Sequence, residues 1–106
     1  MNPAPDHPPH WRFNFSRLTL AQRQTGPGIP QITDGEIIEA FRNSRQLFSS
    51  PEFPVREQRY FCVGFTSKYR FVLVDLSVGD DELLIHDVAL ADEFQVQELY
   101  CGRAAS

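Results

Sequence analysis

REQRYFCVGFTSKYRF, residues 56–71, is the stretch on which the reading of this sequence turns. Its sixteen residues hold four cations (Arg56, Arg59, Lys68, Arg70) and five aromatic rings (Tyr60, Phe61, Phe65, Tyr69, Phe71). The chain as a whole is acidic, with ten Lys plus Arg against fourteen Asp plus Glu. Arg59 to Thr66 reads as a strand, Ser67-Lys68-Tyr69 as a short connection, and Arg70 to Leu76 as a second strand. Two uses of such a hairpin are open. Arg59 and Arg70 could stand near each other across the strands and grip a phosphate, with Tyr60, Phe65 or Tyr69 stacking an unpaired base. Alternatively the outer face is merely soluble, and the two arginines pair with Glu57 and with Asp75 or Glu82 across strands.

Outward from the hairpin, the elements follow from local signals. Thr33-Asp34-Gly35-Glu36 fits a capping box, with Ile32 and Ile37 placed as its hydrophobic staple. Ile37, Phe41, Ser44 and Phe48 share one stripe, so a helix is expected from about Asp34 to Leu47. Ser49 to Pro54 is a loop. After the hairpin, Gly79-Asp80-Asp81 is a turn and Glu82 to Ala89 a third strand, which makes an antiparallel meander. Asp92 to Tyr100 reads as a short helix with Phe94 packing inward, ended by Gly102. Upstream, Trp11, Phe13 and Phe15 alternate as a half-buried strand, and Ser16 can cap a short helix to about Gln24. Met1 to His10, with four prolines, reads as a disordered or extended tail. The expectation is therefore a tail over 1–10 and one α+β domain over 11–106. In it, helices pack on a three- to four-stranded antiparallel meander sheet.

Charge is unevenly placed. Residues 1–73 carry nine cations against six acids, a balance of +3, and residues 74–106 carry one cation against eight acids, a balance of −7. The acidic half could recognise a partner, or the two halves could simply neutralise each other within one fold. No apolar run of about eighteen residues is present, so no membrane span is expected. The N-terminus lacks a secretory pattern. Cys62 and Cys101 are then expected as reduced thiols of a cytoplasmic protein, most simply as buried apolar residues.

Several chemistries have no footing here. The sequence has no phosphate loop, no dinucleotide fingerprint, no paired-cysteine zinc motif and no His-Glu-x-x-His, so no cofactor or metal is expected. His7 and His10 alone make a poor metal site. Cys62 lacks a visible base and is a poor nucleophile. His86, in Leu84-Ile85-His86-Asp87-Val88, is either a packed strand residue or a general acid or base; alternation sets it opposite Asp87.

Glu57-Gln58-Arg59, then Gly64-Phe65-Thr66, then Arg70 with Val72 and Val74, resembles the central hairpin of the BrnT-type toxins, small members of the RelE-like ribonuclease superfamily. Arg59 precedes Gly64 by five positions and Arg70 follows it by six, as in that family. Ile32 to Glu36, running into Ala40-Phe41, is similar to the family's preceding helix. The likeness covers about residues 32–76. Elsewhere the chain departs: Phe15-Ser16 stands in place of an aromatic-Asp pair, Thr19 in place of a lysine, and His86 to Ala89 in place of a strand end bearing arginine.

The resemblance implies a metal-independent ribonuclease acting on RNA, including the ribosome, and neutralised by an antitoxin. Arg59, Arg70 and His86 would be the catalytic groups, and Lys68, Tyr69 and Arg56 the RNA contacts. The departures leave a second expectation: a toxin-like fold without the activity, serving as a small interaction or regulatory module through its acidic C-terminal half.

Overall fold

The computed structural model describes residues 12–102. The Pro-rich 1–10 tail and Trp11 lie outside them. The elements run β1 (Arg12–Asn14), α1 (Leu20–Arg23), α2 (Asp34–Asn43), β2 (Phe48–Ser49), a 3₁₀ turn (Val55–Glu57), β3 (Arg59–Phe65), β4 (Phe71–Val78), β5 (Glu82–Leu90) and α3 (Glu93–Gln95), which continues as one π-helical turn (Val96–Tyr100).

The three long strands form the expected meander, but the sheet is larger and mixed. Its order is β1-β5-β4-β3-β2, five strands, with β1 parallel to β5 and every other pair antiparallel. Two short edge strands make the difference. The parallel pairing of β1 is possible because the chain leaves it through α1 and α2, a long connection of the kind a parallel neighbour requires. β2 is only two residues long and sets Phe48 opposite Phe61.

Alternation gives the sheet two unlike faces. Cys62, Val72, Val74, Leu76, Leu83, Ile85 and Val88 point to the inner face and are buried with Ile32, Ile37, Ala40, Phe41 and Leu47. Helix α2 lies on this face. The Cβ of an alanine at position 64 would come within 1.8 Å of the Ala40 carbonyl oxygen, so glycine there permits backbone-to-backbone contact. Phe13 of β1 meets the Phe41 ring edge-on at 5.5 Å, extending the core to the far edge.

Helix α2 starts as read, with Thr33 Oγ1 accepting from the Glu36 amide at 3.3 Å. The reciprocal half of the capping box is absent, because the Glu36 carboxylate is taken up by Thr66 and Arg70. The helix stops at Asn43, four residues short of the expected end, where the Ser44 hydroxyl donates to the Phe41 carbonyl at 2.7 Å. That side-chain bond takes a terminal carbonyl out of the helical ladder. The upstream helix is capped by Thr19 instead of Ser16.

On the outer face, the α3 segment covers one end only. Tyr100 packs edge-on against Phe71 at 5.0 Å, and Val63 beneath is fully buried. Phe94, expected inside, is 70 % exposed. Cys62 is buried and Cys101 exposed, both as free thiols. Burial pushes the Cys62 thiol up to about 12, so it is an inert apolar residue. Among the described residues no helix is long and apolar enough to cross a membrane.

Candidate functional site

The hairpin does not bring Arg59 and Arg70 together. In the β3–β4 register Arg59 faces Ser77. Arg70 closes the opposite end, where the Thr66 amide donates to its carbonyl at 2.9 Å. The two arginines also differ in parity: Arg59 points outward with Phe61 and Val63, and Arg70 points inward with Val72 and Val74. They stand at opposite ends and on opposite faces of the sheet, so no shared phosphate clamp forms.

Each guanidinium already has a carboxylate. Arg59 donates from Nη2 to both Asp75 oxygens, at 3.2 and 3.1 Å. Its guanidinium carbon lies 3.8 Å from the centre of the Phe53 ring, and its Nε is buried with no hydrogen-bond partner among the described residues. Arg70 is held more completely. Its Nε donates to Glu36 Oε2 at 2.7 Å, its Nη2 to Glu36 Oε1, and the Pro30 and Gln31 carbonyls take further donors at 2.8 and 3.3 Å. Glu36 in turn is buried. Burial raises its carboxyl pKa, but the hydrogen bonds from Arg70 and Thr66, with the Arg70 and Lys68 charges, outweigh that and leave it below the usual value. The bond to Glu36 correspondingly raises Arg70.

His86 is the unexpected placement. Asp75 pairs with Asp87 and Leu76 with Ile85, so His86 is the extra residue of a β-bulge. The bulge breaks the alternation that sets His86 opposite Asp87 and leaves both on the outer face. His86 Nε2 lies 3.0 Å from Ser77 Oγ. Burial first, then the positive charge of Arg59, lowers its pKa from the ordinary 6.5, so the ring is neutral at pH 7. Arg59, Asp75, Ser77 and His86 therefore form one cluster, at the opposite end of the hairpin from Arg70.

The expected RNA contacts are divided as well. Lys68 and Tyr69 sit in the β3–β4 turn, with Lys68 Nζ 3.8 Å from Glu36 and Tyr69 exposed at a left-handed φ of 61°. Arg56 is exposed in the 3₁₀ turn before β3, at the other end of that strand.

Next to the Arg59–Asp75 pair the outer face dips into a groove of about 170 Å³, lined by Phe61, Leu73, Ala89, Asp75, Asp87 and Glu52 among others. Phe61, Leu73 and Ala89 supply apolar surface from three adjacent strands. Phe61 stacks on Phe48 at 5.6 Å, which stiffens that side. Asp87 accepts the Val88 amide at 2.9 Å, and neither Asp87 nor Glu52 makes an ion pair among the described residues. Period-two alternation places Phe61, Leu73 and Asp75 on a common face, so part of this groove is readable from sequence. Glu52 comes from a loop, and Asp87 joins through the bulge; neither carries a local signal. Among the described residues no group of three or more His, Cys, Asp or Glu side chains is placed so that it could hold a metal ion.

No family model, curated protein or solved structure matches the chain.

Proposed function

We propose that this chain is a small, non-enzymatic protein-interaction module that engages its partner through the open outer face of its sheet. One contrast carries this reading. The two arginines expected to grip the phosphate are already committed to carboxylates inside the fold, Arg59 to Asp75 and Arg70 to Glu36. Asp87 and Glu52, beside a half-buried apolar surface, have no such cation among the described residues. RNA cleavage needs spare positive charge where phosphate charge develops. A surface that keeps carboxylates without an ion-pair partner around half-buried apolar side chains suits a protein partner. The likeness to BrnT-type toxins over residues 32–76 is compatible with a toxin-like fold kept without the chemistry.

The test couples two measurements. Induced expression in a bacterial host should leave growth and cellular RNA intact while folded protein accumulates. A photo-crosslinking residue at Ala89, on the open face, should yield a discrete protein adduct in the cells of origin, and one at Arg42, on the exposed side of α2, should not. Growth arrest accompanied by RNA cleavage would restore the toxin reading. Equal adducts at both positions, or none at Ala89, would remove the outer face from consideration.

A further inference from the structure

We infer that the outer-face groove takes a single arginine side chain presented by the partner protein. Its aliphatic stem would lie on Phe61, Leu73 and Ala89, and its guanidinium between Asp87, Glu52 and Asp75. This rests on the interaction-module reading and names the partner's chemistry.

Charge, size and surface chemistry each favour this occupant. Three carboxylates, Asp75, Asp87 and Glu52, line the groove, and Arg59 is bonded to one of them, which leaves a local balance of −2. His86, on the same face, is neutral at pH 7 and does not offset that balance. An anion is therefore repelled and a cation drawn in. The volume, about 170 Å³, falls below the roughly 300–1,000 Å³ of small-molecule pockets, yet it accommodates one long side chain.

An apolar floor ending in carboxylates matches a side chain with an apolar stem and a charged tip. Arginine fits better than lysine. Its planar fork can engage carboxylates on two sides and lie against the Phe61 ring, where a lysine offers a strongly hydrated point charge. Phe53 already stacks on a guanidinium in this part of the fold, that of Arg59. The groove is shallow and half open, so one side chain fills only part of the contact. The remainder must come from a larger body that also covers the half-buried Phe48, stacked on Phe61, and Phe53, stacked on Arg59. That is why the source is a protein segment and not a free amine.

The experiment is an NMR titration of the full-length, isotope-labelled chain with three probes. These are the capped peptide Gly-Leu-Arg-Leu-Gly, its counterpart with Glu for Arg, and agmatine. The Arg peptide should shift the amides of Phe61, Leu73, Asp75, Asp87 and Ala89, and the Glu peptide should not. The double variant Asp87→Asn/Glu52→Gln keeps the Val88 amide acceptor and removes two charges. It should weaken Arg-peptide binding by about tenfold with an otherwise unchanged spectrum. Equal shifts from the Glu peptide, or undiminished affinity in the double variant, would overturn the arginine assignment while leaving the outer face as a docking surface. Agmatine binding as tightly as the peptide would overturn the protein source. Groove amides that respond to none of the probes would overturn the inference, whereas the module reading stands or falls separately on the Ala89 crosslink.

Discussion

At Gly64 the inner face of β3 presents backbone, not a side chain, to helix α2. An added Cβ would lie 1.8 Å from the Ala40 oxygen and 2.6 Å from its carbonyl carbon, and neither atom can swing aside as a side chain can. Relief would require α2 to lift, and with it Ile37, Ala40 and Phe41, all buried in the core. Overpacking of this kind costs about 1–3 kcal/mol, and rigid backbone on both sides puts Gly64→Ala at or above about 3 kcal/mol. Urea unfolding of the variant should show that loss, with Gly35→Ala as a reference. Gly35 lies in the same helix with nothing within 4 Å of its added Cβ, and alanine there should leave stability equal or slightly improved. A Gly64→Ala variant as stable as the parent would mean that α2 does not rest on β3 as described. The glycine matters for function because the close approach keeps α2 on the inner face and off the outer one.

At the scale of elements, what can be read from sequence is what nearby residues decide. Thr33, Asp34 and Ile37 announce the start of α2, and the alternation of β3 and β4 fixes which side chains point outward. The pairing of Arg59 with Asp75 is foreseeable for the same reason, since adjacent strands joined by a short turn leave little choice of register. β1 is different: it pairs with β5 across a separation of 68 residues between Asn14 and Glu82, and three residues carry too weak a pattern to reveal a partner. Glu36 looks like a capping residue, yet its partner Arg70 is 34 positions away. The bulge in β5 is the costliest omission, because one extra residue brings Asp87 onto the outer face with His86, beside the groove.

That bulge makes a prediction about pH. His86 faces Ser77, with Arg59 and Asp75 from β3 and β4, Arg17 from the β1–α1 connection and Glu57 from the 3₁₀ turn around it. Burial and Arg59 together hold its folded pKa below the ordinary 6.5. The unfolded chain therefore binds this proton more readily, and stability rises with pH through the window just below 6.5. Stability should fall as pH drops from about 7.5 to 5, and His86→Gln, which cannot titrate, should lose that part of the slope. Identical slopes in parent and variant would show that the ring is not enclosed as described.

At the scale of the whole molecule, one buried carboxylate joins pieces that the sheet alone does not hold. Glu36 accepts from Thr66 at 2.8 Å and from Arg70, and Arg70 reaches on to the carbonyls of Pro30 and Gln31. The loop before α2, the helix itself and the β3–β4 turn thereby share one ionic knot, in which the Glu36 side chain is only 2 % exposed. Removing one partner of a buried pair strands the other charge, a loss of about 3–5 kcal/mol. Against a total of roughly 5–15 kcal/mol for a domain, Glu36→Gln should leave a marginally stable protein.

The same residue dictates the acid limb. Although burial raises its pKa, the bonds from Arg70 and Thr66 leave the folded value depressed below 4.5. Its contribution is thus fully present above 4.5 and disappears as pH falls through the folded value. Glu36→Gln should therefore lower stability at neutral pH and flatten the dependence in acid, whereas Glu93→Gln, at an exposed site, should change stability by no more than about 0.5 kcal/mol. A neutral-pH loss under about 1 kcal/mol for Glu36→Gln would mean that the pair is loose. Arg70 would then have donors to spare for an outside anion, and only Arg59 would be committed within the fold. A full loss fixes Arg70 as a structural cation and leaves the groove carboxylates, Asp87 and Glu52, as the charges with work left to do.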